Sequence, residues 1–306
     1  MAWIPGGRFL MGSDRHYPEE APRHPVTVDG FWIDRTSVTN RAFAAFVAAT
    51  GHVTLAERVP DAAAFPGLPP EALRAGSAVF ATPPAGTRRT DPLAWWAFVE
   101  GADWRHPRGP ESSLEGLEDH PVVHVAVEDA EAFARWAGKA LPSEAEWERA
   151  ARGGLEDADF VWGDSLAPEG RYMANTWQGD FPHHDTGADG FSWTSPAGAF
   201  PANGYGLFDM AGNVWQWTAD VYRERRPSGC CGTRRHAGDG GTPGQDPATG
   251  PATAPRVIKG GSFLCAPSYC RRYRPAARLP QPVDTTTCHL GFRCVVREDG
   301  QRAGMA

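Results

Sequence analysis

Residues 259–274 read KGGSFLCAPSYCRRYR and combine a glycine turn, two thiols and a basic run within one short stretch. Cys265 and Cys270 lie five residues apart, with Pro267 between them. On a strand this spacing would point the two side chains to opposite faces. Pro267 instead predicts a turn between the cysteines, which could bring both sulfurs together.

Two thiols on one turn allow two interpretations. Two thiolates without a third nearby ligand form a soft site of low coordination number, which suits Cu(I). A zinc site would need four ligands, and this segment offers two. The alternative is a pair of buried structural thiols or a disulfide, because C-x4-C is a weak pattern by itself. The spacing alone leaves both interpretations open.

The composition of the whole chain predicts a fold with little regular secondary structure. The chain has 306 residues, of which 41% are hydrophobic and 22% charged, an ordinary globular balance. Its 35 Gly and 28 Pro break up long helices and strands alike. The 12 Trp should supply buried indoles whose N–H groups find partners. We expect a single α+β domain.

Charge and cysteine placement exclude several classes of protein. A net charge of −7 argues against a nucleic-acid partner. No apolar run approaches membrane-spanning length and no signal peptide is visible, so we expect no membrane partner and a cytoplasmic protein. All six cysteines follow residue 229, which argues against a disulfide framework and favours free thiols.

Helix signals fall in the first half of the chain. The segment 40–50 has one apolar face, and Gly51 is placed to end it. A second helix is predicted over 128–137. Ser143, with Glu146 three residues later, forms a capping box that begins a third helix. No helical pattern follows residue 155.

The remaining segments are assigned as strands or loops by their patterns. Short strands are predicted within 3–12 and 26–33, and a buried strand over 121–127. Weak periodicity predicts loop over 52–93. Residues 223–256 are rich in Gly, Pro and Arg and predict a mobile surface insertion, and 298–306 predict a frayed tail.

The pattern G-G-S-x-x-C-x4-C-x-R-Y-R resembles the signature of the formylglycine-generating enzymes, the sulfatase-modifying factor family. The resemblance covers 1–297 and implies one catalytic domain with that family's C-type-lectin-like fold. Many shared segments mark the wider fold family, which includes non-enzymes, whereas the cysteine pair is specific to the oxidase branch. Those segments are IPGG (4–7), GADWRHP (101–107), HPVVHV (120–125), LPSEAEWE (141–148), NTWQGDF (175–181), NGYGL (203–207) and GFRC (291–294).

The resemblance implies a copper-dependent oxidase. Cys265 and Cys270 would hold Cu(I), and molecular oxygen would be the oxidant. The substrate would be an unfolded sulfatase-type polypeptide, in which the cysteine of a Cys-x-Pro-x-Arg motif becomes Cα-formylglycine. The protein would act as a monomer.

Four further residues enter the candidate site by resemblance. Ser262 and Trp215 match the serine and tryptophan that border the oxygen pocket in the family. Tyr269 matches a tyrosine that can donate a hydrogen bond to the reacting centre, and Arg274 matches the arginine that ends the R-Y-R run. Without the resemblance, Ser262 would be interpreted as a turn residue and Trp215 as a core indole.

The resemblance also implies two structural calcium sites, and hard cations take oxygen ligands in irregular loops. The first would use the side chains of Asn175 and Asp189 with the carbonyls of Thr176 and Phe191.

The second calcium site departs from the family at both of its side chains. It would use Asp209 and Gln216 with the carbonyls of Gly212 and Val214. Asp209 stands where the family has Asn, and Gln216 where it has Glu, so the site charge stays at −1. Loss of a bidentate carboxylate would weaken binding.

Other departures leave the substrate open. Ala266 stands where the family commonly has His, His289 replaces an Asn, and 281–286 read QPVDTT. One alternative is therefore a paralogous copper oxidase that acts on a different thiol. Another is a non-catalytic binding module on this fold, against which the intact cysteine pair counts.

Overall fold

The computed structural model describes residues 1–224 and 253–298, apart from 65, 68, 85, 88–90 and 92. The predicted insertion at 223–256 lies outside these residues except at its two ends. The predicted tail also lies outside them, except for residue 298.

The three predicted helices are confirmed, and their ends follow the sequence signals. Thr39 Oγ1 accepts the Ala42 N–H at 3.3 Å and begins the first helix. Gly51 adopts a left-handed φ of 68° and ends it. The capping box of Ser143 and Glu146 is present. The helices are α1 (Asn40–Thr50), α2 (Val127–Trp136) and α3 (Glu144–Arg152).

Apart from short 3-10 helices, short strands in several small sheets supply the rest of the regular structure among the described residues. The strands are β1 (Ala2–Ile4), β2 (Gly7–Met11), β3 (His24–Val28), β4 (Phe31–Ile33), β5 (Gly76–Phe80), β6 (Trp96–Glu100), β7 (Gly179–Asp180), β8 (His184–Asp185), β9 (Trp215–Val221), β10 (Arg256–Lys259), β11 (Leu279–Gln281), β12 (Leu290–Gly291) and β13 (Val295–Arg297).

The largest sheet has the strand order β11-β10-β9-β12. The segment 260–274, called the cysteine loop below, follows directly after β10. Strand β12 pairs parallel with β9, and the other pairs in this sheet are antiparallel. A second sheet, β1-β4-β13, joins the first described segment of the chain to the last. The hairpins β2-β3, β5-β6 and β7-β8 pair separately. No helix in the described residues is long and apolar enough to cross a membrane.

Two buried tryptophans have the hydrogen-bonded indoles that the composition predicts, whereas the buried Nε1 atoms of Trp104 and Trp177 have no hydrogen-bond partner among the described residues. Trp147 and Trp217 are both fully buried. Trp147 Nε1 donates to Gln216 Oε1 at 2.8 Å, and Trp217 Nε1 donates to the Val125 carbonyl at 3.0 Å. Each indole therefore contributes apolar area without leaving a buried donor unsatisfied.

The buried strand predicted over 121–127 is wrong. His124 adopts a left-handed φ of 59°, which breaks the extended conformation. The backbone N–H groups of Val122 and His124 donate to different segments of the chain. Val122 donates to Val38 O and His124 donates to Thr287 O, both at 2.9 Å. The apolar run is buried, but as a connector rather than a strand.

Two boundaries also differ from the sequence prediction. The loop predicted over 52–93 contains β5, which pairs with β6 along its whole length. The strand predicted over 26–33 is divided into β3 and β4. Gly30 lies at the division, where a Cβ atom would lie only 2.4 Å from the Trp3 ring. The sequence did not predict β5 because its alternating pattern is short and lies in an Ala- and Pro-rich segment.

We expect His124 to make the protein lose stability in mild acid. The ring is buried, with Nδ1 2.6 Å from Ser77 Oγ and Nε2 2.9 Å from Pro107 O. Burial lowers the pKa of His124 to about 4, whereas an unfolded His titrates near 6.5. The unfolded chain therefore binds more protons between these values, and stability is lost as the pH falls from about 6.5 towards about 4.

Urea unfolding at pH 7.5 and pH 5 measures this loss. His124 should account for about 2 kcal/mol of the decrease in the free energy of unfolding. His124→Asn tolerates the left-handed backbone and cannot titrate, so its decrease should be smaller by that amount. An equal decrease in both proteins would contradict the assignment.

Candidate active site

The cysteine loop begins with a turn that requires glycine. Directly after β10, Gly260 and Gly261 have φ values of 95° and 72°. A Cβ atom on Gly261 would lie 2.9 Å from the backbone nitrogen of Tyr273. The two arms of the loop therefore approach each other closely because no side chain separates them.

The turn at Pro267 brings the sulfurs of Cys265 and Cys270 together, as the sequence predicts. Cys265 Sγ and Cys270 Sγ are 3.1 Å apart, and both cysteines are free thiols. The chain reverses around Pro267, where the Cys270 N–H donates to Ala266 O at 2.9 Å. The disulfide alternative is therefore not what this structure shows.

The two thiols differ in their electrostatic surroundings. Cys265 is 1% exposed, and burial raises the pKa of its thiol well above the usual value. The pKa of Cys270 is lowered to about 7, first by the hydrogen bond from Cys265 and then by the nearby Arg272 cation, against the opposing effect of burial. The pair thus holds a thiolate at Cys270 near neutral pH, with a protonated neighbour.

Tyr269 forms an aromatic wall beside the pair. Its ring stacks on Phe181 with centroids 4.5 Å apart and meets Trp95 edge-on at 5.2 Å. Burial and the negative charge of Cys270 raise the pKa of the phenol, so it keeps its proton at neutral pH. Tyr269 can therefore donate a hydrogen bond at the site, the role that the resemblance gives it.

Ser262 and Trp215 lie in the interior. The Ser262 N–H donates to Cys265 Sγ at 3.4 Å, and its Oγ accepts the Leu264 N–H at 3.3 Å. Ser262 thus holds the loop against the first sulfur. Trp215 is 2% exposed and packs in the same apolar core as Cys265. A part for either residue in handling oxygen stays a prediction.

Arg274 is buried in an ion pair. Its exposure is 1%, and both terminal nitrogens bind the carboxylate of Glu20, itself fully buried. Its Nε donates to Arg271 O at 2.8 Å. These contacts hold the cysteine loop onto the N-terminal segment, while a direct part in the reaction stays a prediction.

Sequence reasoning missed the N-terminal side of the site. Arg272 donates to Glu19 Oε1 from Nη2 at 2.7 Å, and its guanidinium carbon lies 3.9 Å over the Tyr17 ring. The Glu19–Glu20 pair and the arginine run after Cys270 carry opposite charges, a signal that could have linked them. Their separation of about 250 residues hid it.

The residues of the first predicted calcium site lie close together, and calcium binding itself stays a prediction. Asp189 accepts the N–H groups of Thr176 and Phe191 at 2.9 and 3.0 Å, so these residues share one loop. Asn175 Nδ2 donates to Trp193 O at 2.7 Å, which makes its amide oxygen the atom that can bind a cation. Burial raises the pKa of Asp189, and a cation would relieve that cost. Gln178 Nε2 donates to Asp189 Oδ2 at 2.9 Å and to the Thr176 carbonyl, so a calcium ion on these oxygens would displace this amide.

The second predicted set does not fit a cation. Gln216 Oε1 already accepts from Trp147 Nε1 at 2.8 Å and from Arg293 Nε at 2.7 Å. Its Nε2 donates to the Asp209 carbonyl at 2.8 Å, and one Asp209 carboxylate oxygen accepts the Gly198 N–H at 2.8 Å. Gly212 and Val214 lie in the intervening turn. The buried Arg293 guanidinium places a positive charge beside these oxygens.

Of the departures from the family, Ala266 is buried, whereas His289 is half-buried and residues 281–286 are half-buried or exposed. Ala266 is fully buried and packs in one cluster with Cys288. His289 lies against the Trp96 ring at 4.8 Å, and its Nδ1 is 2.6 Å from Thr287 Oγ1. Burial raises the pKa of Cys288 to about 12, so this thiol stays protonated. Cys294 is also buried. Cys230 and Cys231 lie outside the described residues.

A fold of short strands that presents two adjacent free thiols on one turn defines a class of cysteine-centred sites. A family model for the sulfatase-modifying factor enzyme 1-like domain matches residues 1–298. The chain belongs to this family. It is 52% identical to a formylglycine-generating enzyme of Mycobacterium tuberculosis over 297 residues, which covers 95% of this chain and 96% of that protein.

Two other similarities limit what membership of the family implies about activity. The chain is 39% identical over 301 residues to a Bos taurus protein named inactive C-alpha-formylglycine-generating enzyme 2, covering 96% of this chain and 87% of that protein. The solved structure of PvdO from Pseudomonas aeruginosa has a TM-score of 0.62 and 25% identity, covering 96% of this chain and 92% of that one. The α+β fold is thus shared across the family, and activity must be argued from the site.

Proposed function

We propose that this protein is a formylglycine-generating enzyme. It oxidises the cysteine of a Cys-x-Pro-x-Arg motif in a sulfatase-type polypeptide, with molecular oxygen as the oxidant. The observation that carries the proposal is the pair of free sulfurs, Cys265 Sγ and Cys270 Sγ, 3.1 Å apart. The 52% identity to a protein named formylglycine-generating enzyme over almost the whole chain supports it.

The sulfur pair suits Cu(I) by its ligand chemistry. Two soft thiols lie together, and within 1–224 and 253–298, where described, no group of three or more His, Cys, Asp or Glu could hold a metal. Bound Cu(I) would supply the one-electron chemistry that allows oxygen to oxidise a thiol carbon. Cys265 and Cys270 would hold it.

The protein side chains would bind, orient and shield the reacting cysteine. Cys270 is partly exposed whereas Cys265 is buried, so a substrate thiol would approach from the Cys270 side. Tyr269 keeps its proton and presents a hydrogen-bond donor there. The rings of Trp95 and Phe181 around it exclude water. Ser262 holds Cys265 in place through its backbone N–H.

Mass spectrometry of a Cys-x-Pro-x-Arg peptide tests the proposal. The copper-loaded protein is incubated with peptide, oxygen and a thiol reductant, because oxygen accepts more electrons than the conversion supplies. The expected product has lost its sulfur and carries an aldehyde that a hydrazide traps. A peptide with Ala in place of Cys, and an anaerobic sample, are the controls.

The same assay separates the alternatives. Oxygen consumption with another thiol, but no peptide product, would replace the proposal by a paralogous copper oxidase. Absence of Cu(I) binding would leave a non-catalytic module of this fold.

We also propose one structural calcium ion, held by Asn175 and Asp189 with the Thr176 and Phe191 carbonyls. A ligand that binds only the folded state stabilises it by mass action. The calcium chelator EGTA should therefore lower the Tm of copper-free protein. Asp189→Asn should start with a lower Tm and respond little to EGTA. An unchanged wild-type Tm in excess EGTA would remove calcium from the proposal.

A further inference from the structure

The two sulfurs of the pair contact different kinds of donor. Cys265 accepts a neutral backbone N–H, that of Ser262, at 3.4 Å. Cys270 faces a cation, since Arg272 Nη1 lies 3.9 Å from its Sγ. The buried sulfur is therefore fixed by the loop itself, and the partly exposed sulfur by a charged side chain.

Arg272 is held rigidly although it lies near the surface. Its Nη2 and Nε both donate to Glu19 Oε1, at 2.7 and 3.3 Å. The guanidinium lies 3.9 Å over the Tyr17 ring, a cation–π geometry. The Tyr17 hydroxyl in turn accepts the Arg271 N–H at 3.1 Å. The contacts to Glu19 leave Nη1 directed at Cys270.

We propose that Arg272, held by Glu19 and Tyr17, is a positioning residue that fixes the Cys270 sulfur and compensates the negative charge of the thiolate pair and of a substrate thiolate that approaches it. This inference rests on the proposed function, because it concerns the same two sulfurs.

The charge balance explains why a fixed cation is useful there. Two thiolates carry two negative charges, a monovalent cation removes one, and a substrate thiolate restores it. A positive charge about 4 Å from sulfur in a partly buried site stabilises the states with two net negative charges more than the state with one, so it lowers the cost of adding the substrate thiolate. Glu19 binds the guanidinium through Nη2 and Nε rather than Nη1, so it orients the cation more than it cancels it.

Cu(I) affinity tests the proposal. The full-length protein competes anaerobically with a chromophoric Cu(I) chelator. Arg272→Gln should lower the affinity because the Cys270 sulfur loses the donor that fixes it, although removal of a positive charge by itself favours Cu(I) binding. Arg271→Gln is the matched control: it removes the same charge from the neighbouring position, but the Arg271 guanidinium lies over the Phe160 ring at 5.5 Å. Its affinity should stay close to that of the wild type.

Two further measurements separate positioning from a general structural role. Arg272→Lys keeps the charge and should recover part of the lost affinity, which a lost packing contact would not predict. In copper-loaded protein, Arg272→Gln should raise the peptide KM more than it lowers kcat. If Arg272→Gln does not fold, Arg272→Lys against Arg271→Lys gives the same comparison, with a loss of affinity expected only in the former.

The outcomes distinguish this inference from the proposed function. If the wild type binds no Cu(I), or if Cys270→Ser binds it as tightly, the copper site itself is wrong. If the wild type binds Cu(I) and Cys270→Ser does not, but Arg272→Gln matches Arg271→Gln in affinity and KM, the role of Arg272 is overturned and the copper site stands.

Discussion

Cys265→Ser should remove tight Cu(I) binding and all measurable peptide oxidation, and we expect the same of Cys270→Ser. A serine oxygen is a hard, weakly acidic ligand, so neither variant keeps two soft donors 3.1 Å apart. The loss should be complete rather than partial, because a single thiolate cannot form the two-coordinate site. Copper stoichiometry by metal analysis and peptide oxidation by mass spectrometry measure the two effects.

Cys288→Ser is the matched control for both variants. Cys288 is 1% exposed and its sulfur accepts the Phe80 N–H at 3.3 Å, a bond that a serine oxygen can also accept. Copper stoichiometry and peptide oxidation should therefore survive. Wild-type copper affinity in folded Cys265→Ser would place the metal elsewhere. Loss of turnover in copper-loaded Cys288→Ser would extend the active site beyond the pair.

Local signals in the sequence predicted the local features of this site. The turn between Cys265 and Cys270 follows from Pro267, and the glycine pair before it supplies the positive φ values of 95° and 72° that begin the loop. The three helices follow from caps and apolar faces that act within a few residues, such as Ser143 with Glu146. These features need no knowledge of distant parts of the chain.

Features set by distant contacts could not be predicted. The run at 121–127 has the composition of a buried strand, but the left-handed His124 and its partners Ser77 and Pro107 make it a connector. Gln216 looks like a weakened calcium ligand in the sequence. In the structure its amide is already saturated by Trp147 and Arg293, which lie far away along the chain. Tertiary contacts decide both cases.

Breaking the buried ion pair beneath the cysteine loop should cause the largest loss of stability. Arg274 and Glu20 are 1% and 0% exposed, and the guanidinium binds both carboxylate oxygens. Arg274→Met leaves the Glu20 carboxylate buried without its partner, which costs about 3–5 kcal/mol. Urea unfolding followed by tryptophan fluorescence measures the change in the free energy of unfolding.

Two comparisons show whether the loss comes from the orphaned charge. Arg74→Met breaks an exposed pair with Glu100, whose side chains are 55% and 61% accessible, and should change stability little. The double variant Glu20→Met/Arg274→Met removes both charges and should be more stable than Arg274→Met alone, because no buried carboxylate is left unpaired. If the double variant were as unstable as the single one, the cost would come from lost packing and from the lost bond to Arg271 O. The pair would then hold the cysteine loop by its shape rather than by its charge.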